Sequence, residues 1–224
     1  MKIEFFDAHS HWIEKQTGGF LIAIEGDQPI SKTYNNEEVL TLKKSNDKFI
    51  PVQYIRKSFQ ETETPVVKYH PRREGYSPNQ IISDIKRRKP RIVIIDTLNQ
   101  PYWCPRDYWE IAKKFPSIQF LFAHAGGYDV FDFAKICDFQ QNSWLDFSFT
   151  QHYFGWCGSR PQMNVILEII HYCFENDRIR NKILFGSDNM FCSQQESLEK
   201  YLVLSDVQKY LTDNFNNLVL MGLQ

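Results

Sequence analysis

Eight short apolar segments recur along this chain, at spacings that leave room for a helix between most of them. They are Ile3–Ala8, Phe20–Glu25, Phe49–Ile55, Val66–His70, Arg91–Thr97, Gln119–His124, Ser143–Phe149 and Lys182–Asp188. Between them, Asn36–Lys44, Asn79–Lys89, Asp107–Phe115, Val130–Phe139 and Gln162–Asn176 place apolar residues at i, i+3, i+4 with charges opposite, the pattern of amphipathic helices. Two further helical stretches, Gln194–Leu204 and Val207–Met221, follow the last segment. Strands alternating with helices read as right-handed βαβ units on a parallel sheet. Eight such strands predict an α/β fold closed into a compact (β/α)8 TIM barrel, with an open doubly wound sheet as the competing architecture. His11–Gly19 and Arg56–Pro65 are too short or too polar for a full helix, so the helices after strands 1 and 3 are expected to be reduced.

Composition narrows the function classes. With 26 Lys+Arg against 27 Asp+Glu, the chain lacks the basic excess of a nucleic-acid or membrane-surface binder, so neither partner is expected. No apolar run approaches the ~20 residues of a membrane span, and Glu4 interrupts any leader-like start. Five cysteines, an odd number without a C-x-x-C pair, read as reduced thiols in a cytoplasmic protein. No repeat or Pro/Gly/Ser-rich linker divides the sequence, so residues 1–224 read as a single domain. A (β/α)8 barrel typically takes ~250 residues, which leaves a stripped barrel with an open mouth rather than one carrying an inserted lid.

A barrel predicts where chemistry should sit: at the C-terminal ends of the strands, where the βα loops gather. Polar residues fall there repeatedly. Strand 1 ends in Asp7-Ala8-His9-Ser10-His11, strand 4 in Lys68-Tyr69-His70, strand 5 in Asp96, strand 6 in His124 and strand 8 in Asp188. Period-2 alternation places Asp7, His9 and His11 on one face, where a barrel strand normally carries Val, Ile or Leu. Two neutral imidazoles two residues apart can reach one divalent ion, and a carboxylate from across the barrel can complete an open site. An H-x-H pair alone is equally the mark of two hydrogen-bonded histidines. Joined with His124 and Asp188 it points to a metal.

Asp7-x-His9-x-His11, Val67-Lys68-Tyr69-His70-Pro71, Phe122-Ala123-His124-Ala125-Gly126-Gly127 and Ile183-Leu184-Phe185-Gly186-Ser187-Asp188 occur in that order. The set resembles the signatures of the amidohydrolase superfamily, and most closely its amidohydrolase-2 branch. That branch includes hydrolases of C–N or ester bonds and metal-dependent decarboxylases. The resemblance implies that His9 and His11 are metal ligands. It also implies that His124 polarises the substrate or orients the attacking water, and that Asp188 binds the metal and serves as general base. At the end of strand 5 the family usually offers a further histidine ligand; here Asp96 stands in its place. Asp96 as a ligand would give a site for zinc first, with manganese or iron tolerated. His70 swinging in from strand 4 is the other way to complete it. A carboxylated lysine serves two-metal branches at the position of Lys68, but with the strand-5 histidine missing a structural or substrate-contacting lysine is expected here.

The expected function is therefore a metal-dependent hydrolase using a metal-activated water on a C–N or ester bond of a small anionic molecule. A decarboxylase on the same barrel is the alternative, as is a non-catalytic barrel that lost activity through Asp96. Expected substrate contacts are Lys68, His70 and Arg72, with Arg160 from the aromatic stretch after strand 7. Arg suits bidentate recognition of a carboxylate or phosphate. Asp146, inside strand 7, is expected to support the ligands from behind. The aromatic surface is compatible with a homodimer.

Overall fold

The computed structural model describes residues 5–13, 18–25, 33–98, 102–148, 161–190, 193–202 and 208–223. Eight strands run in chain order, each pairing in parallel with the next: β1 (Phe6–Ser10), β2 (Gly18–Ile22), β3 (Phe49–Tyr54), β4 (Val66–Tyr69), β5 (Ile92–Asp96), β6 (Gln119–Ala123), β7 (Ser143–Asp146) and β8 (Ile183–Leu184). The last edge meets the first. Ala8 donates its amide to the Phe185 carbonyl at 2.7 Å, and the Asp188 amide reaches the His9 carbonyl at 2.8 Å. The sheet is thus a nearly closed (β/α)8 barrel.

The helices are α1 (Asn36–Ser45), α2 (Pro71–Glu74), α3 (Pro78–Arg88), α4 (Pro105–Lys114), α5 (Val130–Phe139), α6 (Pro161–Glu175), α7 (Asp177–Arg180), α8 (Gln194–Leu202) and α9 (Gln208–Leu223). No helix follows β1 or β3 among the described residues, as the short polar connections predict. Local chemistry fixes several starts. Asn35 with Glu38, and Ser77 with Gln80, form reciprocal capping boxes at the heads of α1 and α3. The single turn α2, which brings Arg72 and Arg73 to the mouth, was not expected from periodicity. On α6, Ile170 and Cys173 are buried, whereas Val165 and His171 are exposed.

Period-2 alternation sorts the strands into two layers. Ile92, Ile94 and Leu121 turn inward with Val52, Val66 and Leu184, while Val93, Ile95, Phe120 and Phe122 turn outward against Ile81, Ile85, Tyr108, Ile111 and Phe133 of the surrounding helices. The inward row of β5 continues from Ile92 and Ile94 to Asp96, so the apolar filling gives way to carboxylate only at the top layer. α9 closes the bottom. Phe215 stacks on Phe6 with ring centroids 5.1 Å apart, and Arg91 Nε donates to the Gly222 carbonyl at 2.8 Å. Among the described residues no helix is long and apolar enough to cross a membrane, and Cys104, Cys137 and Cys173 are free thiols. Cys157 and Cys192 lie outside the described residues.

Candidate metal centre

The C-terminal mouth holds a cavity of about 380 Å³ lined by His9, His11, Lys68, His70, Asp96, His124 and Asp188, with Arg72, Arg73 and Tyr54 among the residues of its wall. The histidines and acids singled out at the strand ends, with Lys68, therefore meet in one place, Asp7 excepted. Arg160, with the whole stretch from residue 149 to 160, lies outside the described residues. Asp7 lines no part of the cavity. Its carboxylate accepts from the His9 amide at 2.9 Å, the Ser187 amide at 3.1 Å, the Ser187 hydroxyl at 2.6 Å and Gln194 Nε2 at 2.8 Å. The register of β1 slips between Asp7 and Ser10, so simple alternation does not carry through to its first acid.

One ligand atom each from His9, His11 and Asp188, all buried, lies within 4.8 Å of the others. His11 Nδ1 faces the Ile22 carbonyl at 3.0 Å, which can only accept, so Nδ1 carries the proton and Nε2 is left bare, 3.3 Å from Asp188 Oδ1. His9 Nε2 faces Lys68 Nζ at 2.8 Å, and since burial lowers Lys68 the contact alone does not assign a proton to that nitrogen. Ligation through it requires Lys68 to give up that contact. Burial pulls His9 below the ordinary imidazole range and His11 down to about 4, with Lys68 adding to both, so the two rings are neutral and able to ligate.

Two acids complete the electrostatics. Burial alone would raise Asp188, but the imidazoles of His11, His9 and His124 around it hold it well below the carboxylate range. Asp96 is likewise held low against burial, by His70 and His124. Its Oδ2 lies 3.1 Å from His124 Nε2 and 3.3 Å from His70 Nε2, while Oδ1 is buried with no hydrogen-bond partner among the described residues. Asp96 thus stands between two imidazoles rather than inside the His9–His11–Asp188 group. His124 Nδ1 faces the Ser148 carbonyl at 2.8 Å and Nε2 faces Asp96, so both nitrogens are placed to donate. Burial lowers His124, but Asp96 outweighs it and raises the imidazole, favouring the imidazolium. Two neutral imidazoles and an ionised aspartate whose ligand atoms lie within 4.8 Å of one another, in a cavity that Asp96 with its orphaned oxygen also lines, are a donor set that fits a divalent cation.

Backbone conformation aims two of these side chains. His124 and Asp188 both adopt positive φ, +66° and +48°, a region that costs energy outside glycine and clusters at functional sites. His124 opens a left-handed run through Ala125, Gly126 and Gly127 that breaks away from β6. Position 186 is tight as well: a Cβ there would stand 3.0 Å from Asp146 Cγ and from His9 Cβ, closer than ordinary contact. Three further participants, Ser148, Ser187 and Tyr54, gave no usable signal in the sequence. Ser148 and Ser187 join through long-range hydrogen bonds, and Tyr54 reaches the wall from the end of β3, its hydroxyl on Glu74 at 2.8 Å. Arg73, beside Arg72, stacks over the Tyr54 ring at 5.6 Å and donates to the Glu25 carbonyl, whereas Arg72 is exposed with no partner among the described residues.

Burial pushes the Asp7 carboxyl up to about 6, against the pull of its four donors. A group raised in the folded chain binds more protons there between about pH 4 and pH 6, so its contribution to stability falls as pH rises through that window. The Tm of Asp7→Asn is therefore expected to gain on the wild type between pH 4 and pH 7. A Tm difference that does not change with pH would contradict this.

A parallel eight-stranded barrel with a His/Asp group at its C-terminal mouth defines a TIM-barrel protein of the kind that works through βα loops. The amidohydrolase family model Amidohydro_2 matches residues 60–214, more than half of the chain, and the chain belongs to that family. Asp96, His124 and Asp188 lie inside the match; His9 and His11 precede it. No curated protein matches the chain. Among solved structures it is similar to an uncharacterized TIM-barrel protein of Bordetella bronchiseptica, with 15% identity, TM-score 0.66, and coverage of 92% of this chain and 79% of that one. It is also similar to a probable 2-pyrone-4,6-dicarboxylic acid hydrolase of Acinetobacter baumannii with citric acid bound, at 13% identity, TM-score 0.58, covering 97% and 99%. A third, an amidohydrolase 2 of Bifidobacterium longum subsp. infantis, shows 11% identity, TM-score 0.60, and coverage of 92% and 81%. At these identities the likeness concerns the fold.

Proposed function

We propose that residues 1–224 form one catalytic barrel, a divalent-metal-dependent hydrolase of C–N or ester bonds, lactones included, in small carboxylate-bearing molecules. The observation that carries this reading is the buried His9–His11–Asp188 group opening into a cavity whose rim holds Arg72, unpartnered among the described residues. His9, His11 and Asp188 would hold the metal, with Asp96 Oδ1 as the candidate fourth donor. When bound, a divalent cation there supplies Lewis acidity and lowers the pKa of coordinated water. Asp188, ionised at neutral pH, accepts the proton of the attacking water. His124, kept protonated by Asp96, donates a hydrogen bond to the developing oxyanion or a proton to the leaving group. Lys68 and His70 line the wall between these groups and contact the substrate. Arg72 takes the substrate carboxylate, as a guanidinium with its donors unspent can.

A panel of carboxylated lactones, esters and amides tests the reading, with 2-pyrone-4,6-dicarboxylate first because a neighbour of the same fold carries that name. Hydrolysis of one of them that is lost on chelation and restored by zinc or manganese supports it. Release of CO2 without hydrolysis would move the assignment to a decarboxylase. On a substrate so found, Arg72→Ala is expected to raise KM about 10–100-fold with little change in kcat, since a hydrogen bond to a charged group is worth about 1.5–3 kcal/mol. A fall in kcat at unchanged KM would place Arg72 in the chemistry instead.

A further inference from the structure

A second group of buried side chains, His9, His124 and Asp146, also brings one ligand atom each within 4.8 Å of one another. It is not an empty cation site, because the Ser148 hydroxyl reaches all three. Ser148 Oγ lies 2.9 Å from His9 Nδ1 and 3.1 Å from His124 Nδ1, and it donates to Asp146 Oδ1. Asp146 Oδ1 further accepts from the Ser148 amide at 2.9 Å and the His124 amide at 3.2 Å, while Oδ2 stands 3.4 Å from His9 Nδ1 without a hydrogen bond. His9, Asp146 and Ser148 are almost wholly excluded from solvent.

Among the described residues the proton count around this hub has one solution. A hydroxyl has a single proton, and Ser148 gives its proton to the ionised Asp146. Toward His9 the same oxygen can then only accept, so His9 must carry its proton on Nδ1. That leaves Nε2 bare, facing Lys68 and the cavity. Had Ser148 donated to His9 instead, the proton would sit on Nε2 and the ring could not ligate through it. We infer that Ser148, oriented by Asp146, is a positioning residue that fixes His9 as the Nδ1–H tautomer and so presents Nε2 toward the metal centre. Its consequence for metal affinity rests on the metal-dependent reading above; the tautomer itself does not.

Selective 15N labelling of histidine in the chelator-treated full chain tests the tautomer directly, since the two ring nitrogens report their protons separately. The wild type is expected to show His9 with a protonated Nδ1 and a bare Nε2. In Ser148→Ala, His9 is expected to become a mixture of tautomers. Should that variant fail to fold, Ser148→Cys, with a far weaker acceptor of similar size, carries the same expectation. Zn2+ alone, titrated against a competing chelator, should bind the Ser148 variant about 10–100-fold more weakly than the wild type, the usual cost of removing a ligand's hydrogen-bond partner. A wild-type His9 protonated on Nε2, or an unchanged Nδ1–H population in the Ser148 variant, would overturn the inference. If neither protein binds Zn2+ or Mn2+ while the tautomer shift occurs, the role of Ser148 stands and the metal-dependent reading fails.

Discussion

Replacing His9 and His11 together by alanine is expected to abolish tight binding of Zn2+ and Mn2+ while the barrel remains folded. The two rings are neutral, buried and end in bare Nε2 atoms, and with Asp188 they make the donor group. Losing a mere hydrogen-bond partner of a ligand costs about 10–100-fold in affinity, so removing two ligands should exceed ~100-fold. The fold should survive because the apolar layers below, from Ile92, Ile94, Leu121 and Phe215, do not involve these rings. Far-ultraviolet circular dichroism and metal analysis of the same sample separate the two effects. Retained stoichiometric metal in the double variant would move the site elsewhere.

His124→Ala is expected to produce the largest catalytic loss that leaves metal content intact. His124 stands against Asp96 and Ser148 rather than within the His9–His11–Asp188 group, so its removal should spare the ligands. As a general acid or oxyanion donor it is worth about 10²–10⁴-fold in turnover. The pH dependence has a definite sign. The imidazole is raised by Asp96, so the protonated form persists above the ordinary histidine range, and activity falls as pH rises through that raised value. The stabilisation from the Asp96–His124 pair follows the same course, fully present below the unfolded histidine pKa of ~6.5 and lost above the folded one. In Asp96→Asn, the alkaline limb should move to lower pH. An unmoved limb, or metal loss in His124→Ala, would contradict these roles.

Element order and type were legible because eight buried strands and their amphipathic helices each repeat a strong local period. Placement of His9, His11, Lys68, His70, Asp96, His124 and Asp188 at strand ends also followed from that pattern, because a barrel gathers all such ends at one mouth. What escaped the sequence depends on geometry without a period. The register slip in β1 took Asp7 out of the cavity, and the left-handed backbone at His124 and Asp188 sets their aim. Ser148 is one serine among many until the barrel closes and brings Asp146, His9 and His124 around its hydroxyl. Asp96 marked a departure in the sequence, but only the two imidazoles beside it explain what an aspartate does there.

Anomalous scattering from crystals of the protein grown with Zn2+ tests the central claim most directly. The account predicts one peak at the C-terminal mouth, about 2.0–2.2 Å from Nε2 of His9, Nε2 of His11 and a carboxylate oxygen of Asp188, with Lys68 displaced from His9. No peak at that mouth, or a peak held by His124 and Asp146 without His11 and Asp188, would contradict it.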